Sequence, residues 1–581
     1  MSPGAFQRLR VGGAGAAGLR GGLAALNTSL STSFLALGRG ASKPKALDVR
    51  PPEDALNVSD ALGRYPLILK REDYKDKDRR ADLRHVVHFS LLCMLTEGLA
   101  TLPYAFRGVG WVLGFAIVIF CWLAHFFTGT LLGRCRNIYP GAVSLADLAV
   151  YTVGPRAMFF TYALVTTVMV FMLAEYVVVV AYSLQTAVVL LEVEGWLVNY
   201  VKCAFTYLGL ACIVLVPLSQ FRTLYPSSVL CAASNAILFV SLVFWGWSLI
   251  SGGQLNIPNK ATVWPQLGKE YSVGPSDILE HIDIDAPAAG AALTLLQSVA
   301  LISFSFSFQI VTLEIIAEMR KPGQEFFPSL AISSCVQLLA AVYVSAIGYW
   351  HAGNDSPSFF LAQLVSRPSW VTVTVSFLYA VHVLIGAMIK VTILLRSLQL
   401  FIHPQNAGQS TWQARVEWFA LSIAVILLLF GIAVAVPFYE VLAAFIGAAC
   451  MPPVTFTLPT IFYVIAMRKS GRRVPMAEWV AIVLLNLVAA VLMTAGVVHV
   501  LIDLVEHWQL WARSEFRGKA IMKCLNGREF MFQFTDAPFE ETVLREVFEI
   551  TNDTANITGA SGPLSPILAE LEEELQNASP L

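Results

Sequence analysis

Along this chain the apolar residues neither alternate with polar ones nor recur on one helix face. They run together in blocks separated by short polar stretches. A helix needs about 20 apolar residues to cross the hydrocarbon of a bilayer, and the blocks have that length. They predict spans near 85–105, 111–133, 157–191, 198–218, 227–250, 291–319, 328–350, 370–400, 416–437, 442–467 and 477–502, eleven helices in all. Composition agrees: 56% of residues are hydrophobic and 14% charged, and mean hydropathy is +0.65. The connections are too short to hold separate soluble domains. The reading is therefore an all-α membrane bundle over residues 85–502, preceded by a disordered cytosolic segment (1–84) and followed by an extracytosolic tail (503–581).

Charge orients the bundle. Arg134, Arg136, Arg156, Arg222, Arg320, Lys321, Arg396, Arg415, Arg468, Lys469, Arg472 and Arg473 lie in alternate loops, together with the basic run from Lys70 to Arg84. The remaining loops hold Arg107, Lys202, Lys260, Lys269 and Arg367. Such an asymmetry places the N-terminus in the cytosol, and an odd span count puts the C-terminus opposite. The acceptor motifs Asn354-Asp-Ser, Asn552-Asp-Thr, Asn556-Ile-Thr and Asn577-Ala-Ser then fall outside, although Asn27 and Asn57 carry the same motif on the cytosolic side. The first 47 residues lack Asp and Glu and are rich in Gly, Ala and Ser, which fits a disordered tail better than a transit peptide. Ile567–Leu575 is spaced as a short amphipathic helix in a solvated cap. The net charge of -1, without a concentrated basic face, argues against a nucleic-acid partner. Nine Cys without paired spacing read as small buried hydrophobes, so neither metal nor cofactor is expected.

Two spans are internally inconsistent with an unbroken helix. The first carries Thr96, Glu97, Gly98 and Pro103 at its centre. Hydrocarbon tolerates an interruption only where the freed N–H and C=O groups find protein, water or solute, so a cavity is expected there. The sixth, LISFSFSFQIVTLEIIAEMRKP, alternates Ser303, Ser305 and Ser307 with Phe304, Phe306 and Phe308, a period that suits an unwound or strand-like segment. The competing expectation is an intact helix whose serines bond back to the preceding turn.

LTEGLATLPYAFRGVGWVLG resembles the first span and loop of the amino acid/auxin permease family, whose pattern is close to GxGIxxLPYAFxxxGxxxG. The sixth span through Pro322, with Glu314, Glu318 and Met319, is similar to the family's FxFxxxxxxxEIxxEMxxP segment. VPLSQFRTL (216–224) resembles its PLSxxRxL element, and VPFYEVLAAFIGAACMPPVTFTLPTIFYV (436–464) its ninth-to-tenth span element. The resemblance implies eleven spans in a five-plus-five inverted repeat with broken helices 1 and 6, the LeuT/APC-like fold, and secondary active transport of amino acids with a coupling ion. The chain departs from the pattern at Leu92, where the family commonly has Asn, so a sodium site on span one would lose an oxygen ligand. Thr96 replaces the first Gly.

On this reading the solute lies at the two breaks. Its carboxylate would meet the N–H groups of Gly98, Leu99 and Ala100, where span one restarts as a helix N-terminus. Its ammonium would meet carbonyls near Leu95, Thr96, Phe304 and Ser305, with Ser307, Tyr176, Ser376 and Tyr379 as wall residues by analogy with the fold. Gly98 and Ser305 are expected on opposite walls. Glu97 is the leading proton carrier, because a carboxylate near mid-membrane costs about 2.5–3.5 kcal/mol unless it faces a cavity. Glu175 and His382 are the alternates. Lys390 is expected to snorkel to the cytosolic interface. The partners expected are an amino acid, a proton in preference to sodium, and lipid, in a plasma, vacuolar or other endomembrane, an organellar envelope being the poorer fit. A nutrient sensor using the same pocket is the rival function; an enzyme is excluded by the lack of any nucleophile triad, ligand cluster or phosphate loop.

Overall fold

The computed structural model describes residues 81–96, 98–189, 204–222, 228–253, 260–264, 286–364, 369–403, 406, 411–436 and 439–513. Glu97, the segment before residue 81, the acceptor motifs at Asn552, Asn556 and Asn577, and the 567–575 stretch lie outside the described residues.

Helices account for nearly all of the ordered elements. In chain order they are α1 (Leu83–Leu95), α2 (Leu102–Ile138), α3 (Leu145–Thr152), α4 (Pro155–Val189), α5 (Ala204–Leu218), α6 (Ser228–Gly252), α7 (Ala286–Phe304), α8 (Gln309–Glu318), α9 (Pro322–Ala352), α10 (Trp370–Ile402), α11 (Trp412–Ala435) and α12 (Tyr439–Lys469). The last, α13, runs from Met476–Val491 through a π-helical turn, Leu492–Gly496, into Val497–Arg513. Among the described residues nine helices are long and apolar enough to cross a bilayer, counting Thr294–Glu318 as one, and α1 and α5 are shorter apolar helices.

The apolar blocks therefore became helices, with departures where a few residues overrode the pattern. The turn expected between spans one and two is compressed into a single residue. Helix continues on both sides of Gly110, whose φ of 70° and ψ of −175° lie in a region open essentially to Gly. A Cβ there would stand 3.0 Å from Thr262 O and Trp264 C. The chain needs that contact, since Thr262 O and Val263 O accept from the Trp111 and Val112 N–H groups. The short α3 was not foreseen; it is fixed by a capping box in which Ser144 accepts from the Asp147 N–H and Asp147 accepts from the Ser144 N–H.

Helices α7 and α8, α10 and α12 are enclosed on nearly all sides, whereas α11 and α13 expose most of their surface. The exposed side chains are apolar: Trp247 on α6, Leu427 on α11, Val480 and Leu487 on α13. In water such a surface would drive association; in lipid it costs nothing. Ion pairs concentrate at the helix ends that the Lys/Arg asymmetry assigns to the cytosol. Arg134 on α2 donates to Glu478 at 2.7 Å and to the Tyr463 hydroxyl at 3.3 Å, and that hydroxyl donates to the second Glu478 oxygen at 2.6 Å. The α1 end is stapled to the end of α8: Ala81 N–H donates to Glu318 O, Arg320 N–H donates to Ala81 O, and Arg320 pairs with Asp82 at 3.5 Å.

Asn354 is the acceptor motif that lies among the described residues. It is buried, and its Oδ1 accepts from the Tyr349 hydroxyl at 2.6 Å. A glycan cannot be attached to a buried amide engaged in this way. Protein from a secretory-pathway host should lose no glycan mass on Asn354→Gln, and a loss of glycan mass in that variant would contradict the burial. Gly110→Ala should destabilise the detergent-solubilised protein by about 2 kcal/mol, because Ala would be forced into a Gly-only backbone region; an unaltered unfolding midpoint would refute that.

Candidate functional site

The first break lies between α1 and α2. Thr96 turns back onto α1, its amide and its hydroxyl both donating to Leu92 O. Gly98 takes a left-handed φ of 56°, and Leu99–Thr101 forms one 3-10 turn before Pro103 opens α2. Thr101 donates to Gly98 O from its hydroxyl at 2.8 Å and from its amide at 3.2 Å. The helix restart therefore begins at Gly98, Leu99 and Ala100, whose amides are the first of the new helix and lack intrahelical acceptors by position. On the other side Thr96 is packed into α10, where a Cβ on Gly386 would come within 2.5 Å of its hydroxyl.

The second break is Ser305–Phe308, between α7 and α8. Both expectations for this segment hold in part. The backbone is unwound for these four residues, yet the serines also bond back: Ser305 Oγ to Leu301 O at 3.1 Å and Ser307 Oγ to Phe304 O at 2.6 Å. Ser303 and Phe304 remain helical. The alternating pattern reflected four unwound residues, with no strand there.

The two breaks touch. Ser305 Oγ donates to Gly98 O at 2.8 Å, and a Cβ on Gly98 would stand 2.8 Å from Ser305 Oγ and 2.9 Å from Ser305 N. Gly98 and Ser305 are thus in direct contact; they do not face each other across an opening. A side chain at 98 would wedge the two breaks apart and force a left-handed backbone on a residue with a Cβ. A second tie comes from α9. Gln337 spends both amide hydrogens on freed carbonyls, Met94 O at 3.2 Å at the end of α1 and Ser305 O at 2.8 Å. Without it, two buried carbonyls would lose their donors at about 1–3 kcal/mol each.

A polar layer surrounds α10. Tyr176 on α4, expected to line a solute wall, instead accepts from the Lys390 ammonium, which also lies 4.8 Å over the Tyr176 ring centroid. Lys390 is 1% exposed, so it does not snorkel; a phenol oxygen and a π-face hold the charge within the bundle. It sits four residues beyond Gly386 and so on the same face of α10 as the contact with Thr96. Glu175, one residue before Tyr176, is buried beside the Tyr439 hydroxyl of α12 and within electrostatic range of Tyr379. His382 Nδ1 faces the carbonyl of Ser234 at 3.1 Å and its hydroxyl at 3.0 Å, which joins α10 to α6. Ser376 is buried, and among the described residues its hydroxyl has no hydrogen-bond partner. Tyr379 packs on Phe360 at 5.0 Å between centroids.

Thr96, Gly98, Leu99, Ala100, Phe304, Ser305 and Ser307 therefore come together. Glu175, Tyr176, Ser376 and His382 belong to the layer around α10. Sequence reasoning passed over Gln337, His125 and Gln309, polar residues inside apolar spans, which is the signal that a membrane helix offers for a functional position. Glu318, at the end of α8, pairs with Arg396 of α10 at 3.4 Å.

The chain resembles several known proteins. The chain is 23% identical over 431 residues to the Arabidopsis thaliana protein named lysine histidine transporter-like 6, covering 70% of this chain and 88% of that one. It is 24% identical over 482 residues to amino acid transporter AVT1B of Arabidopsis thaliana, covering 80% and 79%. A Na+-coupled sialic acid symporter in a substrate-bound outward-open state aligns with a TM-score of 0.45 at 10% identity, over 78% of this chain and 96% of its own. The family model described as transmembrane amino acid transporter protein matches residues 82–502, which begins at the stapled start of α1 and ends within α13, and this chain is a member of that family, an integral membrane protein and not an enzyme.

Proposed function

We propose that this protein is a secondary active amino acid transporter working by alternating access, with eleven spans in a five-plus-five inverted repeat and a proton as coupling ion. The observation that carries the proposal is the direct contact of two helix interruptions, Gly98 against Ser305, each with backbone groups freed in the interior of an apolar bundle. A zwitterion supplies a carboxylate for the amides at Gly98, Leu99 and Ala100 and an ammonium for the carbonyls near Ser305, which is the complement that such ends require. The names of the Arabidopsis relatives support an amino acid as the solute.

The proton is favoured because Leu92, a buried hydrocarbon side chain, occupies the position where an oxygen ligand for sodium would be expected. Glu97 is the proposed carrier. The contacts at the start of α1 support alternating access. Residues 81 and 82 bond to 318–320, and Glu318 pairs with Arg396, so the ends of both interrupted helices are joined on one side of the bundle and would have to separate for solute to leave that way.

Reconstituted vesicles should accumulate amino acids under an inward proton gradient, with choline able to replace sodium at no loss. Glu97→Gln, a permanent mimic of the neutral carboxyl, should retain exchange of labelled solute while losing gradient-driven accumulation; loss of both would make Glu97 structural. Solute binding with no accumulation by the wild type would assign the pocket to sensing.

Ala81→Cys with Met319→Cys tests the moving contact. Bridged backbones lie about 4.8 Å apart, within disulfide reach. In a Cys335→Ser background, oxidation should abolish accumulation and reduction should restore it. Full uptake by the cross-linked protein would show that this contact stays closed throughout the cycle.

A further inference from the structure

His125 lies in the middle of α2, in the run CWLAHFFTG, and is 1% exposed. An imidazole in such surroundings must satisfy both ring nitrogens or lose free energy. Its partners stand at the two ends of the second break. Nε2 is 3.2 Å from Ser303 Oγ, just before the unwound residues, and Nδ1 is 3.2 Å from Gln309 Oε1, just after them.

The direction of every bond follows from the neighbours. Gln309 Nε2 lies 3.0 Å from His125 O, a carbonyl that only accepts, and 3.0 Å from Thr128 Oγ1, so this end of the amide is the NH2. Gln309 Oε1 is then an acceptor, taking the Phe308 N–H at 3.0 Å and the proton on His125 Nδ1. The ring carries its hydrogen on Nδ1, and Nε2 accepts from the Ser303 hydroxyl. Phe456 at 4.9 Å and Phe306 at 6.5 Å between centroids pack the ring from α12 and from the break itself. One side chain on a helix outside the break thus grips Ser303, the last residue but one of α7, and Gln309, the first of α8, and through Gln309 it caps the last amide of the unwound segment.

We infer that His125 is a positioning residue for the solute, holding the four residues Ser305–Phe308 in the shape that presents their backbone to the ligand. This rests on the transport function proposed above. The role differs from general support of the bundle, because the bonds of His125 are made to the two sides of one interruption.

The test separates shape from stability. His125→Ala should raise the KM for the transported amino acid about tenfold, the worth of one or two buried hydrogen bonds, with the amount of folded protein and Vmax unchanged. His125→Asn restores a donor at the place of Nδ1, and its KM should return to within about threefold of wild type. Ser303→Ala should raise KM in the wild-type background and add nothing to His125→Ala, since both remove the same bond. In parallel, hydrogen exchange of the detergent-solubilised protein should accelerate in His125→Ala at amides 304–309 and stay unaltered in α10 and α12. An unchanged KM, or a fall in folded protein with no change in KM and with faster exchange throughout, would overturn the inference. If the wild type takes up no amino acid, the transport proposal fails by itself, and exchange then decides: acceleration confined to the break upholds the role of His125, and its absence refutes it.

Discussion

The constraint on which this architecture depends is that a peptide group freed inside hydrocarbon must be met by something. An α-helix in lipid satisfies its own backbone, so every interruption needs outside partners. Here they are supplied by few atoms: Gln337 serves Met94 O and Ser305 O, Ser305 serves Gly98 O, and Thr101 serves Gly98 O again. None of these bonds contributes much net stability taken singly, but each prevents a larger loss. That asymmetry explains why Gln337, Ser305 and Thr101 are all turned onto carbonyls at the interruptions.

The apolar runs made the helices legible, because a span is specified by length and hydrophobicity with little regard to order. The breaks were legible for a related reason: Gly98 and Pro103, or a repeat of hydroxyls, are poor choices for an uninterrupted helix. What lay beyond reach was pairing in three dimensions. Nothing in the spacing of Gln337 or His125 says which carbonyl or imidazole partner another helix brings. Lys390 was misjudged on the assumption that a long cation near a helix end finds water; the Tyr176 ring and hydroxyl were already in its path. Asn354 shows the same limitation in a short motif, which encodes an acceptor site without encoding the Tyr349 hydroxyl that occupies it.

The arrangement also divides labour between helices. α7, α8, α10 and α12 are enclosed and bear the interruption, the buried ammonium or the carboxylate neighbours, while α11 and α13 present hydrocarbon outward. Gly110 separates the restart of span one from the long remainder of α2, so the segment that faces the first break and the segment that carries His125 are two rods joined at one residue.

The Ser305 hydroxyl has one proton and two carbonyls in reach, Gly98 O at 2.8 Å and Leu301 O at 3.1 Å. Were the two interrupted helices to draw apart, as the proposed alternating access requires, that proton could turn to its own helix by rotation about a single bond, and Gly98 O would keep its bonds from Thr101. At this hydroxyl neither side is left with an orphaned group. The Ser305 hydroxyl is thus a clasp that can release without orphaning a donor, whereas the Gln337 amide, bonded to both Met94 O and Ser305 O, is the tie between the same two elements that separation would have to break.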